Sequence, residues 1–295
     1  VVKKALLVYN PVSGTGKSVL LLDEIVQYFQ SRNMLVIPVR TPYREKTLYG
    51  LLDEGVSLVL AAGGDGTIHK VVNSLMKHGA PPPVGVIPLG TVNDFAENFG
   101  LSPQKFSLEL LDPENQAVVD VGQVAGRYFI NVASAGLLSD IAYKVDQRLK
   151  NNLGKLAYYL QGVAEIPNFR GVETRLISDG RTVFSGEMLL LLVLNGSRAG
   201  GFGGLMPKAE LDDGFFDCLV FKKCALTDFI NIVFKAMAGK HLEDPNVLYF
   251  RARSLEVTGS PDLATDLDGE QGPPLPWQVE VLPGGLKVLT AKQKQ

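Results

Sequence analysis

Residues 57–67 read Ser57-Leu58-Val59-Leu60-Ala61-Ala62-Gly63-Gly64-Asp65-Gly66-Thr67, and Ile68, Val71, Val72, Leu75 and Met76 follow at helical spacing. A short apolar run that ends on two glycines and passes into a helical stripe predicts a buried parallel strand, a tight turn and a helix. Such a junction turns backbone N–H groups outward at a helix start, where they and the helix dipole attract an anion. Glycines at 63, 64 and 66 let the main chain come close to a phosphate. A bare turn needs only one of them, so phosphate binding is the preferred reading. Thr67 is placed to cap the helix and to donate to a phosphate oxygen. Asp65 suits a phosphate only across a Mg²⁺ ion or an ordered network. The spacing is not the Gly-x-Gly-x-x-Gly of dinucleotide folds.

The same alternation extends on both sides. Lys4 to Tyr9 reads as a strand ending at Asn10-Pro11, and Val19, Leu22, Ile25, Val26 and Phe29 recur at helical spacing. Leu35 to Val39 is a strand and Leu48, Leu51 and Leu52 mark a helix; downstream come a strand at Val84 to Ile87 and a helix at Phe95 to Phe99. Strand-helix alternation predicts a parallel sheet with helices on both faces. Polar turns follow its strands. The first carries Asn10, Ser13, Gly14, Lys17 and Ser18; it resembles the end of a P-loop, but Pro11 stands where that pattern needs glycine. For Lys17, contact with phosphate and simple solvation both remain open. Thr41, after the Leu35–Val39 strand, joins the candidate set. The loop Pro88-Leu89-Gly90-Thr91-Val92-Asn93-Asp94-Phe95 offers Gly90 for close approach, Thr91 as a cap, and Asn93 and Asp94 as polar groups. Several such loops at one carboxyl edge of a sheet mark a ligand site.

Near Val118 the texture changes. Val118 to Val124 and Tyr128 to Val132 are strand-like around Ala125-Gly126-Arg127, Asn152 to Ile166 is helical, and Asp179-Gly180 separates Glu173–Ser178 from Val183–Leu194 as a hairpin turn. Further strand-like runs reach Val281. The chain thus divides into residues 1–120, an α/β domain, and 121–295, a β-rich domain.

Composition narrows the function classes. Lys+Arg is 29 and Asp+Glu 31, a net charge of -2 without the basic excess of a nucleic-acid binder. The longest apolar run, Met188 to Leu194, is far too short for a membrane-spanning helix, which needs about 20 residues. Two cysteines, Cys218 and Cys224, fit no zinc spacing and no disulfide framework, and indicate a reducing compartment. No signal peptide is expected, and the location read from these features is the cytoplasm.

Gly63-Gly64-Asp65-Gly66-Thr67, followed by Pro88 to Phe95, resembles the diacylglycerol kinase catalytic domain, with the bacterial soluble lipid kinases the nearest group and NAD kinases and sphingosine kinases more distant. The resemblance runs in order through Tyr9-Asn10-Pro11, Asn195-Gly196, Gly200-Gly201, Pro207-x-Ala209-x-Leu211-x-Asp213-Gly214 and Leu267-Asp268-Gly269-Glu270. It departs at His69, where the family often has Asn, and at Thr15, which intervenes before Lys17. It implies an α/β nucleotide domain with Gly63, Gly64, Asp65, Gly66, Thr67, Gly90, Thr91, Asn93 and Asp94 at ATP, a C-terminal β-sandwich, and an active site in the cleft between them. ATP and Mg²⁺ are the implied cofactors and a membrane-presented lipid the implied substrate, most readily diacylglycerol.

Phosphoryl transfer to an alcohol needs a phosphate cradle, charge neutralisation by Mg²⁺ and a base for the hydroxyl proton. Leu263 to Leu267 reads as a strand, and Gly269 permits a sharp turn exposing Asp268 and Glu270. Asp-Gly alone suggests a hairpin with solvated acids. With the resemblance, Glu270 is taken as the base and Asp268 as the acid that orients it or helps hold Mg²⁺; the sequence leaves their division open. Asp120 is a weaker acidic candidate. At Glu210-Leu211-Asp212-Asp213-Gly214-Phe215, the resemblance implies a structural cation on the Asp213 side chain and the Glu210 and Phe215 carbonyls. Tyr143 to Tyr159, with Lys144, Arg148, Lys150 and Lys155, is a candidate contact with the inner face of a membrane, and a solvated helix face explains the same charges. A homodimer is a further expectation. Rival readings are an NAD kinase, a phosphofructokinase-like enzyme, and a nucleotide or lipid sensor without turnover. The Pro88–Phe95 loop and Asp268-Gly269-Glu270 fit a lipid kinase better than either enzyme, and the acids Asp65, Asp94, Asp268 and Glu270 argue against a sensor.

Overall fold

The computed structural model describes residues 2–137, 170–199, 202–203 and 205–291. The helix read at Asn152–Ile166, the cationic stretch Tyr143–Tyr159 and the pair Gly200-Gly201 lie outside these residues. Two compact units form: Val1–Val121 with Pro283–Gln295, and Gly122–Leu282. A single cut at 120 therefore differs from the structure, which returns the C-terminal residues to the first unit.

The first unit contains β1 (Lys3–Tyr9), α1 (Lys17–Leu20), α2 (Leu22–Gln30), β2 (Met34–Arg40), α3 (Glu45–Asp53), β3 (Leu58–Gly63), α4 (Asp65–His78), β4 (Val84–Pro88) and α5 (Asp94–Glu97). The strands are parallel in the order β2-β1-β3-β4. Every residue of β3 and β4 is buried, as their unbroken apolar sequences require of strands covered on both faces. β2, at the edge, instead turns Met34, Val36 and Val39 inward and leaves Leu35 exposed. Helix α4 buries Ile68, Val71, Val72 and Leu75 and ends where Gly79, at φ 104°, donates its N–H to Leu75 O (3.2 Å). A left-handed residue costs glycine least, which fixes that stop.

The chain leaves through β5 (Gln116–Val124) and builds the second unit from β6 (Arg127–Phe129), β7 (Val132–Gly136), β8 (Val172–Ser178), β9 (Arg181–Leu194), the short pair β10 (Arg198–Ala199) and β11 (Phe202–Gly203), β12 (Phe216–Lys222), α6 (Leu226–Met237), β13 (Val247–Ala252), β14 (Ser254–Thr258), β15 (Thr265–Leu267), β16 (Glu270–Gln271) and the start of β17 (Trp277–Leu289). Pairing is antiparallel. β9 takes β8 along its first half and runs between β7 and β12 along its second. The turns Ala125-Gly126, Asp179-Gly180 and Asp268-Gly269 each place two residues at positive φ, the two-residue form whose twist matches the strands. Phe216, Cys218 and Val220 of β12 enter one core with Phe129, Leu267 and Trp277; Leu219 and Phe221 enter another with Phe229 and Ile232 of α6. Burial on both faces is why β9 tolerates the run Met188–Leu194 without a polar residue. Both cysteines are free. The mixed fold expected from the sequence, a parallel α/β part and a β-sandwich part, is present. Among the described residues no helix is long and apolar enough to cross a membrane.

β17 explains the return to the first unit. Its Trp277–Glu280 pairs antiparallel with β14, whereas Val288 pairs parallel with Val84 of β4. Beyond it, Thr290 N donates to Asn115 O (3.0 Å) and Ala291 N to Phe99 O (3.1 Å). Asp120, the weaker acidic candidate, is buried and accepts Gly284 N (2.8 Å), which gives it a clamping part here.

His241, between α6 and β13, is fully buried, and neither ring nitrogen makes a hydrogen bond of normal geometry. Burial holds its pKa below the ordinary imidazole value, an effect that the neighbouring Leu205 backbone only partly offsets. The unfolded chain therefore binds the proton more readily, and stability is lost as pH falls through the unfolded value of about 6.5. Melting temperature is expected to drop between about pH 7.5 and about pH 5.5, and the drop should be smaller in His241→Phe, whose ring does not titrate. Equal drops in the two proteins would remove His241 as the cause.

Candidate active site

In the first unit the order β2-β1-β3-β4 sends the connections from β1 and β3 in opposite directions. A parallel sheet leaves a crevice outside its carboxyl ends at such a reversal. Tyr9 pairs with Ala62 across it, and Asn10 N donates to Ala62 O (3.1 Å). Asn10 then folds its own loop: its side-chain oxygen accepts Val12 N (3.2 Å), and its carbonyl accepts Ser13 N (3.1 Å) and the Ser18 hydroxyl (2.6 Å). Ser13 opens a single 3-10 turn, and Lys17 begins α1, though its side chain lies outside the described structure. Thr41 starts the turn after β2, with its N–H on Tyr9 O (2.9 Å).

The glycine-rich turn and the Pro88 loop meet. A Cβ on Gly64 would lie 3.0 Å from Gly90 Cα, and one on Gly90 would lie 2.8 Å from Asn93 Oδ1 and 2.5 Å from Gly64 Cα. Gly64 has an ordinary φ of -93°, so lack of space, not dihedral angle, demands glycine there. Leu89 N donates to Gly63 O (2.9 Å), and Asp65 Oδ1 accepts Phe95 N (3.3 Å). Asn93 is fully buried at φ 56° and holds both ends of Gly90, accepting its N–H (2.8 Å) and donating to its carbonyl (2.6 Å). The capping expectations are corrected. α4 starts after Gly64 with no side-chain cap, which leaves Thr67 buried one turn in, and α5 is preceded by Asn93 while Thr91 stands exposed. Asp94 is buried and Asp65 half-buried.

Beside these loops opens a pocket of about 410 Å³ lined by Gly14, Leu21, Glu24, Gly90, Phe106 and Leu108 among others. Sequence reasoning singled out its two glycines but not its apolar wall, because residues 103–108 carry no regular periodicity.

In the second unit, Leu267 pairs with Glu270 across the Asp268-Gly269 turn. The Asp268 carboxylate is not solvated: Oδ2 accepts Ile130 N (2.9 Å), and Oδ1 accepts Asn131 N (2.9 Å) and Val132 N (3.0 Å). Asp266, buried on the strand before, accepts Gly269 N (3.0 Å) and was absent from the sequence candidates. Its period-two spacing from Asp268 is the signal that could have found it. Glu270 is half-buried at the start of β16.

Asp213 does not present a cation site. Its Oδ1 accepts Phe215 N (2.9 Å) and its Oδ2 is ion-paired with Arg251. The guanidinium carbons of Arg251 and Arg253 lie 4.4 and 4.5 Å from the centre of the Phe215 ring. A divalent cation would have to displace a positive charge already in place, so these donors do not fit the implied metal. Among the described residues no group of three or more His, Cys, Asp or Glu side chains could hold a metal.

The family model of the diacylglycerol kinase catalytic domain matches residues 4–124, and that of the YegS C-terminal NAD kinase beta sandwich-like domain matches residues 131–290. The diacylglycerol kinase of Bacillus subtilis is 37% identical over 298 residues, covering 99% of this chain and 98% of that one. The diacylglycerol kinase of Staphylococcus carnosus is 33% identical, covering 98% and 96%. A crystal structure of a diacylglycerol kinase from Bacillus anthracis superposes with TM-score 0.80 at 25% identity, over 98% of this chain and 97% of that one. An NAD kinase from Archaeoglobus fulgidus, solved with ATP, shares the fold alone, with TM-score 0.57 at 13% identity over 98% and 94%. Two family models in tandem, full-length relatives and loops joined through paired glycines agree: the chain belongs to the diacylglycerol kinase family of ATP-dependent lipid kinases.

Proposed function

We propose that the chain transfers the γ-phosphoryl group of ATP to the free hydroxyl of diacylglycerol, giving phosphatidic acid and ADP. The hydroxyl oxygen forms the new bond to γ-phosphorus, the bond to the ADP oxygen breaks, and the hydroxyl proton passes to the Glu270 carboxylate. The observation that carries this assignment is the Asp268-Gly269 turn. Three amides hold Asp268 and Asp266 is buried on Gly269 N, so we take half-buried Glu270, two residues beyond Asp268, as the acid that accepts the proton. In the first unit, the joined Gly64 and Gly90 loops supply the phosphate cradle, and the pocket beside Gly14 and Phe106 suits the flat apolar faces of a nucleobase. Mg²⁺ bound with the nucleotide would supply neutralisation of the phosphate charge. Of the acids on these loops, half-buried Asp65 is the one that would hold it, since Asp94 is enclosed. Val12, Val19 and Leu20 stand exposed around the first loop, an apolar patch suited to the bilayer in which such a substrate resides.

Radiolabelled ATP offered with diacylglycerol vesicles and, separately, with NAD tests the substrate class: label should enter phosphatidic acid and not NADP. Glu270→Gln keeps size and hydrogen bonding but accepts no proton, and kcat should fall about 10²–10⁴-fold with ATP affinity and melting temperature nearly unchanged. Near wild-type turnover would return Glu270 to the role of a turn residue. Gly90→Ala forces the two loops apart, and such overpacking costs about 1–3 kcal/mol, so ATP should bind about 5- to 150-fold more weakly by calorimetry. Unchanged affinity would take the loops out of the nucleotide site. Because Arg251 serves Asp213, EDTA should leave the nucleotide-free melting temperature unchanged, whereas Arg251→Met should lower it. A fall with EDTA that Asp213→Asn abolishes would restore the cation.

A further inference from the structure

Asn195, next after β9, is buried with 1% of its surface exposed. Its Nδ2 donates to the carbonyl of Ile130 (3.1 Å) and its backbone N–H to the carbonyl of Asn131 (2.8 Å). These two carbonyls belong to the peptide units whose nitrogens are those of Asn131 and Val132. Both nitrogens donate to Asp268 Oδ1, at 2.9 and 3.0 Å. Two peptide units therefore stand side by side between one asparagine and one carboxylate oxygen, each accepting at its carbonyl and donating at its nitrogen. An amide whose oxygen accepts a hydrogen bond is polarised into a stronger donor. Ile130 N on Oδ2, at 2.9 Å, fixes the remaining rotation of the carboxylate. Asp268 N closes the arrangement by donating to Val132 O (2.9 Å).

We infer that Asn195 is a positioning residue for phosphoryl transfer: through the Ile130–Asn131 and Asn131–Val132 peptides it fixes Asp268, and with it the turn that presents Glu270. This rests on the reading of Glu270 as the base. Removing the Asn195 side chain leaves the Ile130 carbonyl without its donor and releases one of the two relays. The peptides can then rotate, and Asp268 with them. Nothing in this chain of contacts includes the nucleotide loops, so the consequence should fall on turnover and not on ATP.

The test is steady-state kinetics of the full chain with diacylglycerol vesicles, on Asn195→Ala, Asp268→Asn and the double variant. Loss of one buried hydrogen bond should lower kcat about tenfold in Asn195→Ala, with the ATP dissociation constant unchanged. Since both residues act on one carboxylate, the double variant should be no slower than the slower single variant, where independent sites would multiply. Asn195→Ser retains a shorter donor and should recover part of kcat; it also serves if Asn195→Ala fails to fold. Wild-type kcat in the folded variants, or multiplying losses, would overturn the inference. An inactive Glu270→Gln beside an active Asn195→Ala would remove this inference alone. A fully active Glu270→Gln would remove the base assignment, and this inference with it.

Discussion

At Gly64 and Gly90 two main chains touch with no side chain between them, and the rest of the first-unit site depends on that contact. The loops are then locked by groups that face inward. Asn93 brackets Gly90 from both ends, Asp65 accepts the amide of Phe95, and Leu89 N reaches Gly63 O. The result is a pair of strand ends joined by their own hydrogen bonds. Donors fixed in advance need no reorganisation when charge moves, which is how a preorganised site stabilises a transferring phosphoryl group. The residues that look most like ligands in the sequence, Asn93 and Asp65 among them, are engaged in holding the loop backbone.

The second unit reaches rigidity by a different device and uses it twice. Asp179 and Asp268 each open an Asp-Gly turn at positive φ, and each turns its carboxylate onto backbone amides of another segment. Asp179 takes Ser254 N (2.9 Å) and Arg253 N (3.2 Å), and Asp268 takes three amides leading into β7. Both anchor the hairpin to a neighbouring strand. The two turns diverge at the next position, Arg181 after one and Glu270 after the other. In the proposed reaction, an anchored turn followed by a carboxylate would serve as the mount for a proton acceptor; the same turn followed by a guanidinium is a surface hairpin.

Much of the fold is legible in the sequence for local reasons. The strands of the first unit are apolar because they are covered on both faces, and Ala125-Gly126, Asp179-Gly180 and Asp268-Gly269 declare their turns through residues tolerant of positive φ. Helix α6 escaped notice although Phe229 and Ile232 mark its buried face, because its apolar residues extend beyond that face and blur the period. At the candidate site, the positions of the loops after the strands were legible, but the contacts each residue makes there were not. Thr67 and Thr91 have capping chemistry without capping positions, and Asp213 has a ligand's chemistry but a guanidinium as partner. Those outcomes are decided by contacts distant in sequence, such as Asp213 with Arg251 or Asp268 with Ile130, for which spacing carries no signal.

β17 also bears on the order in which the molecule can be made. The parallel partner of Val84 is Val288, so β4 has an open outer edge at that point until residue 288 has left the ribosome. Open strand edges pair readily with other chains. During synthesis the strands of the first unit thus wait for residue 288, while the second unit, contained within Gly122–Leu282, is translated before it. The first unit is the last to close, and a fragment ending at residue 121 would carry that open edge permanently.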